Sequence, residues 1–211
     1  MEIEMLKIFD DKRNEIGTAT REEVHRLGYW HETFHCWLIK EENNTTYIYF
    51  QLRSKLKKDY PNLLDITAAG HLLSHESVED GIREMKEEIG IDVSIKELQF
   101  LDSIDYCVTK ENFIDKEIAH VFLYDSKDKP LDFILQVEEV SGMARADFYH
   151  FARLWSGEVK EIKIEGFEIS SIGERESIDK TVGKEAFVSH EDSYYASIID
   201  CIQNYIENHK D

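Results

Sequence analysis

The segment Gly70-His71-Leu72-Leu73-Ser74-His75-Glu76-Ser77-Val78-Glu79-Asp80-Gly81-Ile82-Arg83-Glu84-Met85-Lys86-Glu87-Glu88-Ile89-Gly90-Ile91 carries more structural information than any other stretch of the chain. Ser77 followed by Asp80 is a helix-start signature, because the hydroxyl can satisfy a free N–H of the first turn. Gly90 is a natural stop, since glycine adopts the left-handed cap without steric cost. Between them Val78, Ile82, Met85 and Ile89 fall on one narrow face at about 100° per residue, which predicts a helix from Ser77 to Ile89 with that face toward the core. Glu84, Glu87 and Glu88 fall together on a face turned well away from it, where spacings of three and four make neighbours. Crowded carboxylates repel, and a hard divalent cation with oxygen ligands would neutralise them. Gly81 lies between Glu84 and Glu88 on the helical wheel, which leaves a ligand's approach clear. A solvated acidic face with Arg83 and Lys86 as local partners fits the spacing equally well.

Strand patterns surround this helix. Met5 to Phe9 and Glu15 to Ala19 read as a hairpin around a polar turn at Asp10 to Asn14. Thr20 to Leu27 is polar. His31 to Ile39 is rich in aromatic and branched residues, and in Thr46 to Arg53 Ile48, Phe50 and Leu52 alternate with Tyr47, Tyr49 and Gln51. Strand-like runs return at Leu98 to Val108, Ile118 to Tyr124 and about Val140 to Ala146, before a short helix at Asp147 to Leu154. The tail gives a strand through Val159, Ile162, Ile164, Phe167 and Ile169, a turn near Gly173, and a closing helix. In that helix Tyr195, Ile198, Ile199, Ile202, Tyr205 and Ile206 form one apolar stripe that predicts packing on the sheet.

Composition limits the partners. The chain has 211 residues with 44 Asp plus Glu against 25 Lys plus Arg, a formal net charge of −19. That sign repels a phosphate backbone and argues against nucleic acid, while a carboxylate-held divalent ion would still admit a small anionic substrate. Hydrophobic residues at 42% are too many for a disordered chain. No apolar run approaches the roughly 18 residues of a membrane span. The start, Met1-Glu2-Ile3-Glu4-Met5, lacks the flank of a signal peptide. Cys36, Cys107 and Cys201 form no Cys-x-x-Cys pair and read as reduced thiols, so the expected location is the cytoplasm.

Arg83-Glu84-Met85-Lys86-Glu87-Glu88-Ile89-Gly90-Ile91 matches every fixed position in the second half of the Nudix box, Arg-Glu-apolar-any-Glu-Glu-any-Gly-apolar. Gly70 and Glu76 supply the first half, with one residue fewer before Arg83 than in the family pattern. The chain therefore resembles the Nudix hydrolases over about residues 30 to 155. The resemblance implies an α/β (α+β) fold, an α/β/α sandwich around a mixed β-sheet. A hairpin extension over 1–29 and a β-hairpin and helix over 156–211 would complete one domain, 1–211. It also implies cleavage of a diphosphate linkage in a small molecule, a nucleoside diphosphate derivative, with Mg²⁺ or Mn²⁺ as cofactor. By the same resemblance Glu87 and Glu88 are metal ligands, Glu84 is a ligand or the base, the Gly70 carbonyl is a further ligand, and Arg83 orients the glutamates. Asp115, Glu117, Glu138 and Glu139 are candidates for one more acid.

A second resemblance is narrower. Ala69-Gly70-His71 stands where type 1 isopentenyl-diphosphate isomerases, built on the same fold, have Cys-Gly-His. Those isomerases bind a metal through three histidines and two acids, and His25, His31, His71, Asp115 and Glu117 offer a similar set for a second metal site. A methyl group at Ala69 cannot transfer a proton, which makes isomerase the weaker alternative. Intact Glu84, Glu87 and Glu88 argue against a non-catalytic sensor. The leaving moiety would be shaped by loops at Lys55 to Asn62 and Lys110 to Lys116 and by the tail from Val159 to Phe187. Lys55, Lys57 and Lys58 are candidates for a distal phosphate, and a homodimer remains compatible with this reading.

Overall fold

The computed structural model describes residues 4–110, 113–127 and 129–209. Strands β1 (Met5–Phe9) and β2 (Glu15–Thr20) form the N-terminal hairpin. Thr20 caps α1 (Arg21–Leu27) by accepting from the Glu23 N–H, and Gly28 closes that helix in the left-handed region. Next come β3 (Trp30–Glu42), β4 (Thr45–Arg53), β5 (Leu64–Asp65) and β6 (Ala68–His71). A 3-10 turn over Val78–Ile82 leads into α2 (Arg83–Ile89). The hairpin of β7 (Leu98–Lys110) and β8 (Phe113–Asp125) precedes β9 (Val140–Asp147) and α3 (Phe148–Trp155). The hairpin β10 (Ile162–Ile169) and β11 (Arg175–Val182) and then α4 (Asp192–Asn208) complete the order.

One sheet runs β11-β10-β9-β4-β3-β1-β2, with β5, β6, β7 and β8 joined to it off that path. Its spine is β3, which pairs antiparallel with β6 over Thr33–Cys36 and parallel with β8 over Trp30–Ile39. The parallel ladder makes the sheet mixed. Side chains alternate across a strand, so Phe34, Cys36 and Leu38 of β3 pack with Met85 and Ile89 of α2. Trp37 and Ile39 face the other way, into a core with Phe148 and Phe151 of α3 and Tyr194, Ile198 and Ile202 of α4. The sequence-derived α/β/α sandwich follows from that alternation. In α4 the stripe from Tyr195 to Ile206 packs inward as its periodicity requires. No described helix is long and apolar enough to cross a membrane.

Three local expectations need correction. The helix predicted from Ser77 to Ile89 is α-helical only from Arg83; the residues before it wind as the tighter 3-10 form. Its stop behaves as read, with Gly90 at φ 76°. At its start the Ser77 hydroxyl donates to Asp80 at 2.7 Å instead of accepting from a first-turn N–H, and Asp80 also accepts from the Ser77 N–H at 2.8 Å. Gly81 does not clear a path for a ligand. It is buried, and an added Cβ would stand 2.5 Å from Phe34 Cβ and 2.8 Å from Leu72 Cδ2. The 3-10 winding takes it off the α-helical wheel and points it at β3. The loop predicted over Lys110 to Lys116 is largely ladder, since β8 already pairs from Phe113. Glu111 and Asn112 of that loop, and Met1 to Ile3 of the start, lie outside the described residues.

Gly81→Ala should therefore destabilise the fold by overpacking, by about 1–3 kcal/mol. A thermal melt would show this as a loss of about 2–4 °C per kcal/mol for a chain of this size. An unchanged melting temperature would mean that the space beside Gly81 is open after all.

Candidate active site

Helix α2 turns two of its glutamates inward. Glu84 and Glu88 are each only 8% exposed and lie against the backbone of β6. Glu88 Oε2 accepts from the Ala69 N–H at 3.2 Å and from Gln51 Nε2, on β4, at 3.2 Å. Glu84 occupies the space that a side chain at position 70 would need: a Cβ on Gly70 would stand 2.1 Å from Glu84 Oε1. Glu87 stays at the rim, its side chain 55% exposed, with Arg83 Nη1 at 3.1 Å. Of the two alternatives that the spacing left open, a fully solvated acidic face does not form: two of the acids are buried and one is exposed. A helical wheel shows which residues are neighbours but not that a strand free of side chains at Gly70 will lie across them.

Arg83 ties this arrangement together. Its Nε donates to Glu76 Oε1 at 2.6 Å and its Nη2 to Glu76 Oε2 at 3.1 Å, a two-point clamp on the preceding loop. The same Nη2 reaches the His71 carbonyl at 3.1 Å, and Nη1 bonds both Glu84 and Glu87. Glu76 meets Arg83 although the connecting segment is one residue short. A 3-10 turn rises about 2.0 Å per residue against 1.5 Å in an α-helix, so fewer residues cover the same distance.

The electrostatics of the pair are unfavourable as they stand. Burial pushes the Glu84 carboxyl above the usual range, with Arg83 opposing and Glu87 adding to it. Burial likewise pushes Glu88 up, the Glu84 charge adding to it and the Ala69 N–H and Lys57 opposing. Lys57, read as a contact for a distal phosphate, is paired with Glu139, and Lys55 and Lys58 are exposed. Of the further acids considered, Glu139 is felt electrostatically by Glu88, while Glu138 is exposed.

Asp115 and Glu117 belong to a second cluster. α1 supplies His25, β3 His31, β6 His71 and β8 the two acids. The ligand atoms of His25, His31 and His71 lie within 4.8 Å of one another, as do those of His31, Asp115 and Glu117. His25 Nδ1 faces the Arg21 carbonyl at 2.7 Å and His31 Nδ1 the Tyr29 carbonyl at 3.2 Å. A ring proton on each Nδ1 leaves the Nε2 lone pair toward the cluster, the arrangement usual for metal-ligating histidines. His31 Nε2 and Asp115 Oδ1 are 3.5 Å apart and both buried; His25 Nε2 lies 3.3 Å from the same oxygen, and among the described residues no hydrogen bond of good geometry reaches either atom. Burial lowers the pKa of His31 and holds His71 well below the ordinary value, which keeps both rings neutral. Burial also disfavours charge on His25, but the adjacent Asp115 outweighs it and raises that pKa. This donor set fits a divalent ion that takes nitrogen and oxygen ligands.

The two clusters share β6: the His71 ring enters the histidine cluster while its carbonyl binds Arg83. Surface cavities of about 700 and 500 Å³ lie elsewhere, beside Tyr124 and His209 and beside Arg145 and Phe167, and neither is lined by these residues. Four side chains at the clusters escaped the sequence reading: Thr33, His35 and Tyr106 around Glu117, and Gln51 beside Glu88. Strand alternation from His31 would have put Thr33 and His35 on its face. Tyr106 faces Glu117 only through the β7–β8 register.

The raised carboxyls have a thermodynamic consequence. Each binds its proton more tightly folded than unfolded, so its contribution to metal-free stability is lost as pH rises from the ordinary 4.5 through the raised values. Glu88→Gln should therefore melt above the native chain in chelator, by a margin that grows as pH rises from about 5 to 9. Melts of both proteins between pH 5 and 9 check this. A margin that shrinks or reverses toward high pH would contradict it.

The NUDIX domain family model matches residues 29–165. An uncharacterised Nudix hydrolase of Clostridium acetobutylicum is 40% identical over 204 residues, which is 94% of this chain and 97% of the relative. Isopentenyl-diphosphate Delta-isomerase 2 of Photorhabdus laumondii is 27% identical over 139 residues, 65% of this chain and 74% of that protein. A crystal structure from Deinococcus radiodurans superposes with a TM-score of 0.53 at 21% identity, covering 73% of this chain and 90% of its own, which is a likeness of fold. Buried box glutamates, a family match over most of the length and a near full-length relative lead to one conclusion: this chain belongs to the Nudix hydrolase family.

Proposed function

We propose that the chain hydrolyses a diphosphate linkage in a small molecule, a nucleoside diphosphate derivative, at Glu84 and Glu88 with Mg²⁺ or Mn²⁺. The observation that carries the reading is the burial of these two acids side by side against Gly70 and Ala69, with Arg83 fixing Glu84. Two anions so placed are disfavoured, and a hard divalent cation makes such burial favourable. Glu84 and Glu88 would hold the ion, with the Gly70 carbonyl as a further ligand and Glu87 at the open edge. When bound, it neutralises diphosphate charge and polarises the phosphorus under attack.

The protein's own residues supply position. Arg83 holds Glu84 and Glu87 through one nitrogen, so its orientation sets theirs. The raised carboxyl of Glu84 would give up its proton on taking up the ion, since a carboxylate ligates only when ionised. A water oxygen forms its bond to phosphorus as the bond to the bridging oxygen breaks, and the water proton leaves to solvent. The charge of −19 makes nucleic acid an unfavourable partner for this surface.

The histidine cluster favours a second reading, an isomerase-like metal centre at His25, His31, His71, Asp115 and Glu117. Ala69 still lacks the thiol that the isomerase reaction needs. Cys36 does not replace it, because it packs on the α2 side of β3 and burial pushes its thiol far up.

Release of phosphomonoester from nucleoside diphosphate derivatives, assayed beside isomerisation of an isoprenoid diphosphate, separates the two. Hydrolysis should require Mg²⁺ or Mn²⁺ and stop in chelator. Glu84→Gln and Glu88→Gln should each lose about 10²–10³ in rate, as when one preorganised electrostatic group is removed. Gly70→Ala should lose at least about tenfold, since its methyl displaces only the flexible end of Glu84 and leaves folding intact. Isomerisation with no hydrolysis of any diphosphate would reject the hydrolase reading.

A further inference from the structure

Glu117 is held asymmetrically. Its Oε2 accepts from the Tyr106 hydroxyl at 2.7 Å, the Thr33 hydroxyl at 2.9 Å and His35 Nε2 at 3.1 Å. No described residue donates to Oε1. Three donors on one oxygen fix the plane of the carboxylate and leave the other oxygen as the atom available to an ion beside His31 and Asp115.

His35 is itself held from behind, by a residue far away in the chain. Its Nδ1 lies 2.8 Å from the hydroxyl of Tyr194, on α4, across a sequence separation of 159. Trp37 Nε1, which can only donate, reaches the same hydroxyl at 3.4 Å. A phenol oxygen can accept twice, so the direction is set at the other end. The ionised Glu117 carboxylate only accepts, which requires the proton on His35 Nε2, the nitrogen that faces Glu117, and leaves Nδ1 to accept from the Tyr194 hydroxyl. Donation thus runs from Trp37 to Tyr194 to His35 to Glu117, through groups that are all buried. We propose that Tyr194 of the C-terminal helix is a positioning residue for Glu117, acting through His35 to fix the oxygen that Glu117 presents to the histidine-cluster ion. The proposal rests on the reading of that cluster as a metal site, and it makes the tail beyond the matched family region part of the site's support.

Cobalt(II) titration of the full chain tests it, following the visible absorption band that His71→Ala removes. Tyr194→Phe deletes one hydroxyl and keeps the ring in the core. It should weaken cobalt affinity about tenfold, the lower end for outer-shell partners of a ligand, and shift the band. Tyr195→Phe is the matched control: its hydroxyl is equally buried and on the same helix but donates to the Val188 carbonyl at 2.7 Å. It should lower the melting temperature comparably and leave affinity and band unchanged. If Tyr194→Phe fails to fold, His35→Gln breaks the same link and should show the same weakening. Native affinity and band in the Tyr194 or His35 variant would overturn the proposal while leaving the metal site standing. A cobalt spectrum indifferent to His71→Ala would overturn the metal reading and the proposal with it.

Discussion

The guanidinium of Arg83 is the contact on which the rest of the site depends. One planar fork binds both oxygens of Glu76, the carbonyl of His71 and the carboxylates of Glu84 and Glu87. A lysine could supply the charge but not this geometry, because only the fork offers several fixed donors in one plane. Through Arg83 the loop before α2, the strand β6 and the helix itself are held at one spacing. That spacing lets Glu84 lie where Gly70 has no side chain.

Strand β6 is four residues long and serves two chemistries. Its backbone at Ala69 and Gly70 receives the α2 glutamates, and its side chain at His71 joins the histidine cluster. Pairing with β3 over Thr33–Cys36 is what makes this possible, since β3 brings His31 and His35 to one face and Phe34 and Cys36, against α2, to the other. The hydrolase-like and isomerase-like features of the sequence are therefore two sides of one strand pair. The C-terminal helix enters on the histidine side, with Tyr194 in the same aromatic core as Trp37.

Signals that act over a few residues were legible in the sequence. The Gly90 stop, the β1–β2 hairpin, the alternation in β4 and the stripe of α4 all form as read. The box glutamates and the five possible ligands of the second cluster were also named from sequence, and the structure brings those five together. What escaped depends on what lies across from a residue. Gly81 looked like open space on a wheel because nothing in the local sequence says that Phe34 will pack on it. Spacing alone left Glu84 and Glu88 between a solvated face and a cation patch, because nothing in it shows that the bare backbone of β6 lies across them. The Tyr194–His35 contact joins two residues that no periodicity connects.

Anomalous scattering from crystals grown with Mn²⁺ and a non-hydrolysable diphosphate tests the central claim most directly, because it locates the ion without reference to rate. The account predicts a manganese peak within about 2.0–2.3 Å of a carboxylate oxygen of both Glu84 and Glu88, with the diphosphate against the same peak. Manganese found only among the histidines or on surface acids, with Glu88 still bonded to Gln51 and Ala69 and the diphosphate elsewhere, would contradict it.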